Sequence, residues 1–431
     1  MDKVREMALK ALYKIEINGA YSNIVLDETI KRNAENLNSR DIGLISELVY
    51  GVTTWKLTLD EIIKKHSKIK LKKISPWILN ILRMGIYQIV FLDKIPKSAA
   101  VNESVNLAKK YGNAGSIRYT NAVLRKIDKT DFDEFFKIKD PQERISKTTS
   151  MPLWIVKKLV EEKGIEDAES ICKASNFKPN LCIRINTLKT TTDEFIKKLE
   201  QSSYETTEEE NFLTLKNTKN LENMELFKQG YFTVQDLSAG LAAKSLDPKE
   251  GEIVLDCCSA PGGKTTYLAE MMRNNGYIEA WDIHEHRVKL VEDASKRLGI
   301  DIIKTKVKDA TVYDETYNEK FDKILLDVPC LGLGVIKRKP DIKWQRNLND
   351  VEEISKIQMQ ILLTCSKYLK KGGHLVYSTC SILKEENQNI IEMFLKQNKN
   401  FDFAAENKKF ININTNEKQD GFFICRLKKI E

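Results

Sequence analysis

A chain of 431 residues is long enough for two or three domains, each burying its own core. Hydrophobic residues at 42% and charged residues at 31% argue against a disordered or membrane-embedded protein. The net charge of +8 suits a polyanionic partner, although a solvated basic surface in a lysine-rich protein gives the same total.

The first ten residues carry charges throughout and have no apolar segment, unlike a secretory signal. The longest apolar stretch, Pro76 to Leu92, is interrupted by Asn80, Arg83 and Gln88 and is short for a bilayer of roughly 30 Å. A cytoplasmic protein with no membrane contact is expected. The eight cysteines show no spacing suited to zinc, so free thiols and no metal are expected.

Residues 1–128 show helical periodicity and no strand alternation: Ala8, Ala11, Leu12 and Ile15 share one face, as do Leu44, Ile45, Leu48, Val49 and Val52. Ser98 is placed to cap a helix that stops at Gly112, and 119–127 repeats the pattern. The stretch "KIPKSAAVNESVNLAKKYG", followed by "YTNAVLRKI", resembles the helical RNA-binding domain of the NusB type.

Residues 129–150 contain Pro141 and the cluster "SKTTS" and read as a linker, with room for a short helix. From 151 to about 230 a small α+β module is expected. It has a helix carrying Trp154, Ile155, Leu159 and Val160, a strand over "LCIRINTLK", a helix over 192–202 and a strand over "FLTLK". Beyond 231, strands and helices alternate regularly, which predicts a mostly parallel, doubly wound α/β sheet closed by an antiparallel edge strand over "GFFICRLKK".

In such a sheet, ligands sit at the carboxyl ends of the strands, near the point where strand order reverses. "DCCSAPGGKTT", residues 256–266, is the first strand-to-helix turn; Gly262 and Gly263 let main-chain N–H groups approach a ligand at a helix N-terminus. Neither GxxxxGK[ST] nor GxGxxG is present. Asp282 ends the second strand, where a carboxylate accepts from ribose hydroxyls, and Asp309 ends the third, within reach of a nucleobase. A nucleoside-bearing ligand without a pyrophosphate clamp points to S-adenosylmethionine.

Cys330 and Cys380 end the fourth and fifth strands and are expected to face the same crevice. Carbon 5 of a pyrimidine is a poor nucleophile until something adds at carbon 6, and a thiolate does this well. Asp327, three residues before Cys330, is placed to hold the ring nitrogen as charge develops there. Cys365 and Cys425 lie on apolar stripes and read as core, and Cys257 and Cys258 as packing or backbone-presenting residues. The residues alone leave the order of the two catalytic thiols open.

"CSAPGGKT", "DVPC…GVIKRKPDIKW", "YSTCS…EEN" and "DGFF" resemble the Sun/Fmu (RsmB) family of RNA cytosine-C5 methyltransferases over residues 151–431. The resemblance implies an S-adenosylmethionine site lined by Cys258, Ser259, Ala260, Pro261, Gly262, Gly263 and Lys264, with Asp282, Asp309 and Asp327 also touching cofactor or base. It implies Cys380 as nucleophile and Cys330 as the group that helps the adduct break down. With the NusB-like front end it implies action at cytosine 967 of 16S rRNA; the RNA is expected naked or in an early assembly intermediate, and the protein is expected to be a monomer.

For the RNA itself, the basic run Lys337, Arg338, Lys339 and Lys343 next to Trp344 offers phosphate and stacking contacts, and Arg184 with Asn186 is a second candidate. Two rivals stand beside this reading: the same chemistry on tRNA, and a non-catalytic RNA-binding assembly factor. Amino-group methylation is disfavoured, because its enzymes carry [DN]PP[YF] where this chain has Asp-Val-Pro-Cys.

Overall fold

A computed structural model describes residues 2–199, 203–216, 221, 224–405 and 409–430. The chain forms two compact units, Met1–Asn176 with Ile336–Asn347, and Phe177–Val335 with Leu348–Glu431.

The first unit is helical. Asp2 caps Lys3–Asn18 by accepting from Val4 N–H, and Asn38 and Asp41 form a reciprocal capping box at the start of Ser39–Thr54. The helix Pro76–Phe91 begins on Ser75 with Pro76 in its first turn and runs through the middle of the core. The polar residues that interrupt its apolar run are all used. Arg83 makes a bidentate pair with Asp60 at 2.7 and 2.8 Å and reaches Glu16 at 3.1 Å, while Gln88 accepts from Arg5 at 2.7 Å. Among the described residues no helix is long and apolar enough to cross a membrane.

Two local expectations change. The helix over Lys97–Tyr111 starts one residue before Ser98, with Pro96 at its N-cap and no side-chain cap. Residues 129–150 are largely helical, over Thr130–Asp133, Glu134–Lys137 and Pro141–Thr148. The next helices, Leu153–Lys163 and Ile165–Ala174, also group with this unit rather than with the strands that follow.

The segment Ile336–Asn347 packs within the helical unit. Asp341 accepts from both N–H and Oγ of Ser22, at 3.1 and 2.6 Å, and Trp344 Nε1 donates to Thr53 O at 2.7 Å. Lys343 Nζ donates to Thr54 O and Ser150 O, both at 3.2 Å, and to Asn176 Oδ1 at 2.6 Å. Lys343 is only 1% exposed, and burial pushes its amine down to about 7. Between that value and the ordinary lysine range the unfolded chain holds a proton that the folded one lacks, so folding gains stability as pH rises. Lys343→Met is expected to destabilise this unit by about 2 kcal/mol at neutral pH, through orphaned acceptors. The wild-type advantage should then widen between pH 7 and 10, as read by urea unfolding at each pH.

The second unit carries two sheets. The smaller has β1 (Leu181–Ile185), β2 (Ser203–Thr206), β3 (Phe212–Lys216) and β4 (Phe232–Val234) in the antiparallel order β2-β3-β1-β4. The helix Thr192–Lys198, started by a Thr191/Glu194 capping box, covers it with Phe195 against Ile183, Leu213 and Phe232. The predicted end of that helix, 200–202, lies outside the described residues.

The larger sheet contains β5 (Ile253–Asp256), β6 (Tyr277–Asp282), β7 (Ile303–Val307), β8 (Phe321–Asp327), β9 (Leu369–Thr379), β10 (Phe401–Phe403), β11 (Ile411–Ile413) and β12 (Phe422–Lys429). Their order is β10-β12-β9-β8-β5-β6-β7, with β11 also on β12; β5 to β9 are parallel and β10 to β12 antiparallel. The antiparallel direction of β12 was expected, its place was not. It is an interior strand flanked by β9, β10 and β11, the last two too short for periodicity to reveal. Strand order reverses at β5, between β6 and β8, which sets the crevice at the carboxyl ends of these strands.

Candidate active site

The loop after β5 is built for close approach. Ser259 N–H and Oγ both donate to Trp281 O, at 2.8 and 2.9 Å, which fastens the loop to β6. The Ala260–Pro261 peptide is cis, and Gly262 has φ +102°, where only glycine is comfortable. A Cβ there would stand 3.1 Å from Val291 Cα, and Gly263 then opens the helix Gly263–Met271. Asp256, below the loop, accepts from Thr265 Oγ1 at 2.7 Å, and burial pushes its carboxyl up to about 7.

Asp282, at the end of β6, accepts the His284 N–H at 3.1 Å on Oδ1 and has Arg287 Nη1 3.3 Å from Oδ2. Arg287 also donates to Ala260 O at 3.0 Å, linking the glycine loop to the second strand end. Asp309 lies two residues past β7, its Oδ1 accepting from Thr311 N–H and Oγ1 at 2.8 and 2.7 Å. Loop N–H groups, a glycine approach and carboxylates at successive strand ends make a donor and acceptor set that fits an adenosyl amino acid.

Beside this set, the ends of β8 and β9 bring together a carboxylate, an amine and two thiols. Asp327 accepts from Lys264 Nζ at 2.6 Å on Oδ2 and from Ser378 Oγ at 2.9 Å on Oδ1. Burial alone would lower the Lys264 amine, but the Asp327 carboxylate outweighs it and holds the amine above its ordinary value. Cys330, three residues past β8, and Cys380, directly after β9, bring their sulfurs to 3.1 Å. The neighbouring Cys380 thiol, then burial, then the charges of Glu386 and Asp327 hold the Cys330 thiol well above the usual thiol range.

The remaining candidates are placed elsewhere. Arg184 is fully buried, pairing bidentately with Glu270 at 3.1 and 2.8 Å and donating to Gly263 O at 2.7 Å. Asn186 is buried as well, donating to Gly230 O and Leu298 O at 2.9 and 2.8 Å. Neither side chain faces outward to meet RNA; both tie the small sheet to the large one. In the basic run, Lys337 and Lys343 are buried, Arg338 is half-buried and Lys339 is exposed; all four belong to the helical unit, where Trp344 Nε1 is already bonded. Sequence reasoning passed over Ser378, next to the last residue of β9, and Arg287, in the first turn of the helix Glu285–Leu298 that follows β6. Cys257, Cys365 and Cys425 are core residues, as expected.

Comparison with known proteins gives the family and the fold. Residues 243–428 match the model for the 16S rRNA methyltransferase RsmB/F, residues 2–129 the NusB family, and residues 151–221 the ferredoxin-like domain of RsmF/B-like methyltransferases. That last match begins with the two helices that group with the first unit, so family boundary and contact boundary differ there. The chain is 38% identical to a probable ribosomal RNA small subunit methyltransferase B of Bacillus subtilis, covering 99% of this chain and 98% of that one. It is 33% identical to a ribosomal RNA small subunit methyltransferase B of Shewanella oneidensis, over 91% of this chain and 89% of that one. The crystal structure of PH0851 superposes with a TM-score of 0.81 at 27% identity, covering 98% of each chain. A chain whose full length is shared in this way belongs to the 16S rRNA methyltransferase RsmB/F family, a family of RNA cytosine-C5 methyltransferases.

Proposed function

We propose that this protein methylates carbon 5 of a cytosine in 16S rRNA, cytosine 967 by family resemblance, through a covalent adduct on Cys380. The observation that carries the reading is the pair of thiols at 3.1 Å, at the ends of adjacent parallel strands and beside the Asp327–Lys264 pair. The loop 258–264 with Asp282 and Asp309 would hold S-adenosylmethionine, which would supply the methyl group when bound.

Cys330 keeps its proton, which leaves Cys380 as the sulfur that adds to carbon 6. The Lys264 amine, held above its ordinary value by Asp327 first and then by Cys380, places a positive charge beside the attacking sulfur. Asp327, fixed from both sides, holds the ring-nitrogen edge, and the Lys264 charge offsets the negative charge that the sulfur brings into the ring. Once Cys380 is bonded to carbon it carries no charge, and the chief cause that held the Cys330 proton is gone. Cys330 releases its proton to solvent, accepts the proton from carbon 5, and the bond from Cys380 to carbon 6 breaks to restore the thiolate.

The target carbon is unreachable inside a base stack, so the cytosine enters flipped or unpaired. The NusB-type helical unit is the candidate to hold the surrounding RNA. Labelled methyl donor offered with 16S rRNA and with tRNA tests the reading: 5-methylcytosine at one position of 16S rRNA is expected. Label confined to tRNA would move the substrate, and RNA binding with no transfer would leave an assembly factor.

A further inference from the structure

The two thiols lie on different loops, and a 3.1 Å approach needs something to hold the loops together. Neither residue after the thiols is free to drift. Leu331 N–H donates to Glu386 Oε2 at 2.8 Å, and Ser381 Oγ donates to the other oxygen, Oε1, of the same carboxylate. Gln358 Nε2 bridges Glu386 Oε2 at 3.2 Å and Pro329 O at 2.9 Å, so the residue before Cys330 is tied to the same point. Glu386 is itself pinned by Tyr377 OH donating to its carbonyl at 2.7 Å. It is 0% exposed, and every hydrogen bond named at its carboxylate is one it accepts.

Asn387 secures the Cys380 side further, accepting from Thr379 Oγ1 at 2.6 Å and donating to Ser381 O at 3.0 Å. A carboxylate this deep is costly to bury without such partners, and a surface acid in a helix start would make none of them. We infer that Glu386 is the positioning residue of the reaction: one buried carboxylate clamps the loop of Cys330 and the loop of Cys380 and sets the distance between nucleophile and release thiol. This rests on the methyl-transfer reading for its consequence, but not for its geometry.

Glutamine at 386 keeps one acceptor and turns the other into a donor, which meets N–H groups from Leu331 or Gln358 or leaves Ser381 to reverse its hydroxyl. The test compares Glu386→Gln, Glu386→Ala and, as a milder cut on one side, Ser381→Ala. Two readouts are taken. One is the rate at which diamide, which removes two electrons and two protons, forms the Cys330–Cys380 disulfide, followed by peptide mass spectrometry. The other is kcat and KM for RNA and cofactor.

Expected is a disulfide rate lowered about tenfold or more in Glu386→Ala, less in Ser381→Ala and Glu386→Gln, with kcat down ~10–100-fold and both KM values within about twofold. Unchanged disulfide rates, or a kcat loss matched by a loss of cofactor binding, overturn the inference. If the wild type transfers no methyl yet its disulfide rate still falls with Glu386→Ala, the function reading fails and the clamp stands.

Discussion

Cys380→Ala is expected to lower methyl transfer by about three orders of magnitude or more, because no other group at the site can add to carbon 6. Asp327 is occupied by Lys264 and Ser378, and Cys330 holds its proton. Cofactor affinity is expected to stay within about twofold, since the loop 258–264 is fastened through Trp281 O and Arg287, which the substitution leaves in place. Cys330→Ala should behave differently: one methyl is delivered, and the enzyme then stays attached to its RNA, giving a band that survives a denaturing gel and is absent from the double variant. Single-turnover transfer near the wild-type rate with turnover lost would fix Cys330 after the methyl step. A Cys330→Ala enzyme that turns over freely, or a stable adduct in Cys380→Ala, would reverse the two roles.

The second large effect is on stability. Arg184→Met is expected to destabilise the second unit by about 3–5 kcal/mol, because it leaves the Glu270 carboxylate buried without its partner. The same guanidinium donates to Thr266 Oγ1 at 3.0 Å and to Gln235, and lies 4.7 Å from the Tyr267 ring centre. Arg184→Lys restores a charge but not the fork, and should recover less than half of the loss. The double variant Arg184→Met, Glu270→Met, with no charge left to bury, is expected to be more stable than either single change. Chemical unfolding of the wild type, the three single variants Arg184→Met, Arg184→Lys and Glu270→Met, and the double variant measures this. Since Arg184 also holds Gly263 O, weaker cofactor binding should accompany the stability loss even where the protein stays folded.

The placing of the candidate residues at the ends of parallel strands was readable in advance, because the alternation of strand and helix fixes which residues fall at the carboxyl ends. Asp282, Asp327, Cys330 and Cys380 follow from that register alone. The order of the thiols did not; the proposed order rests on what holds the Cys330 proton, first the Cys380 sulfur beside it, then burial and the charge of Glu386, which the chain brings in from beyond β9. Charged residues misled for the same reason. Lys343 and Arg184 read as surface because a lysine or arginine is usually solvated, and nothing in a linear string shows three oxygens from Thr54, Ser150 and Asn176 converging on one amine.

The segment Ile336–Asn347 has a consequence for how the protein is made. The helical unit draws its last strand of chain from about 170 residues beyond Asn176, so its fold cannot be completed when its first helices leave the ribosome. At roughly 5–20 residues per second, Asp341, Lys343 and Trp344 arrive on the order of 10–30 s later. During that interval the N–H of Ser22 and the carbonyls of Thr53 and Thr54 lack the partners that the segment supplies. The segment follows Phe177–Val335 in the chain, so the helical unit is completed only after most of the second unit has been made.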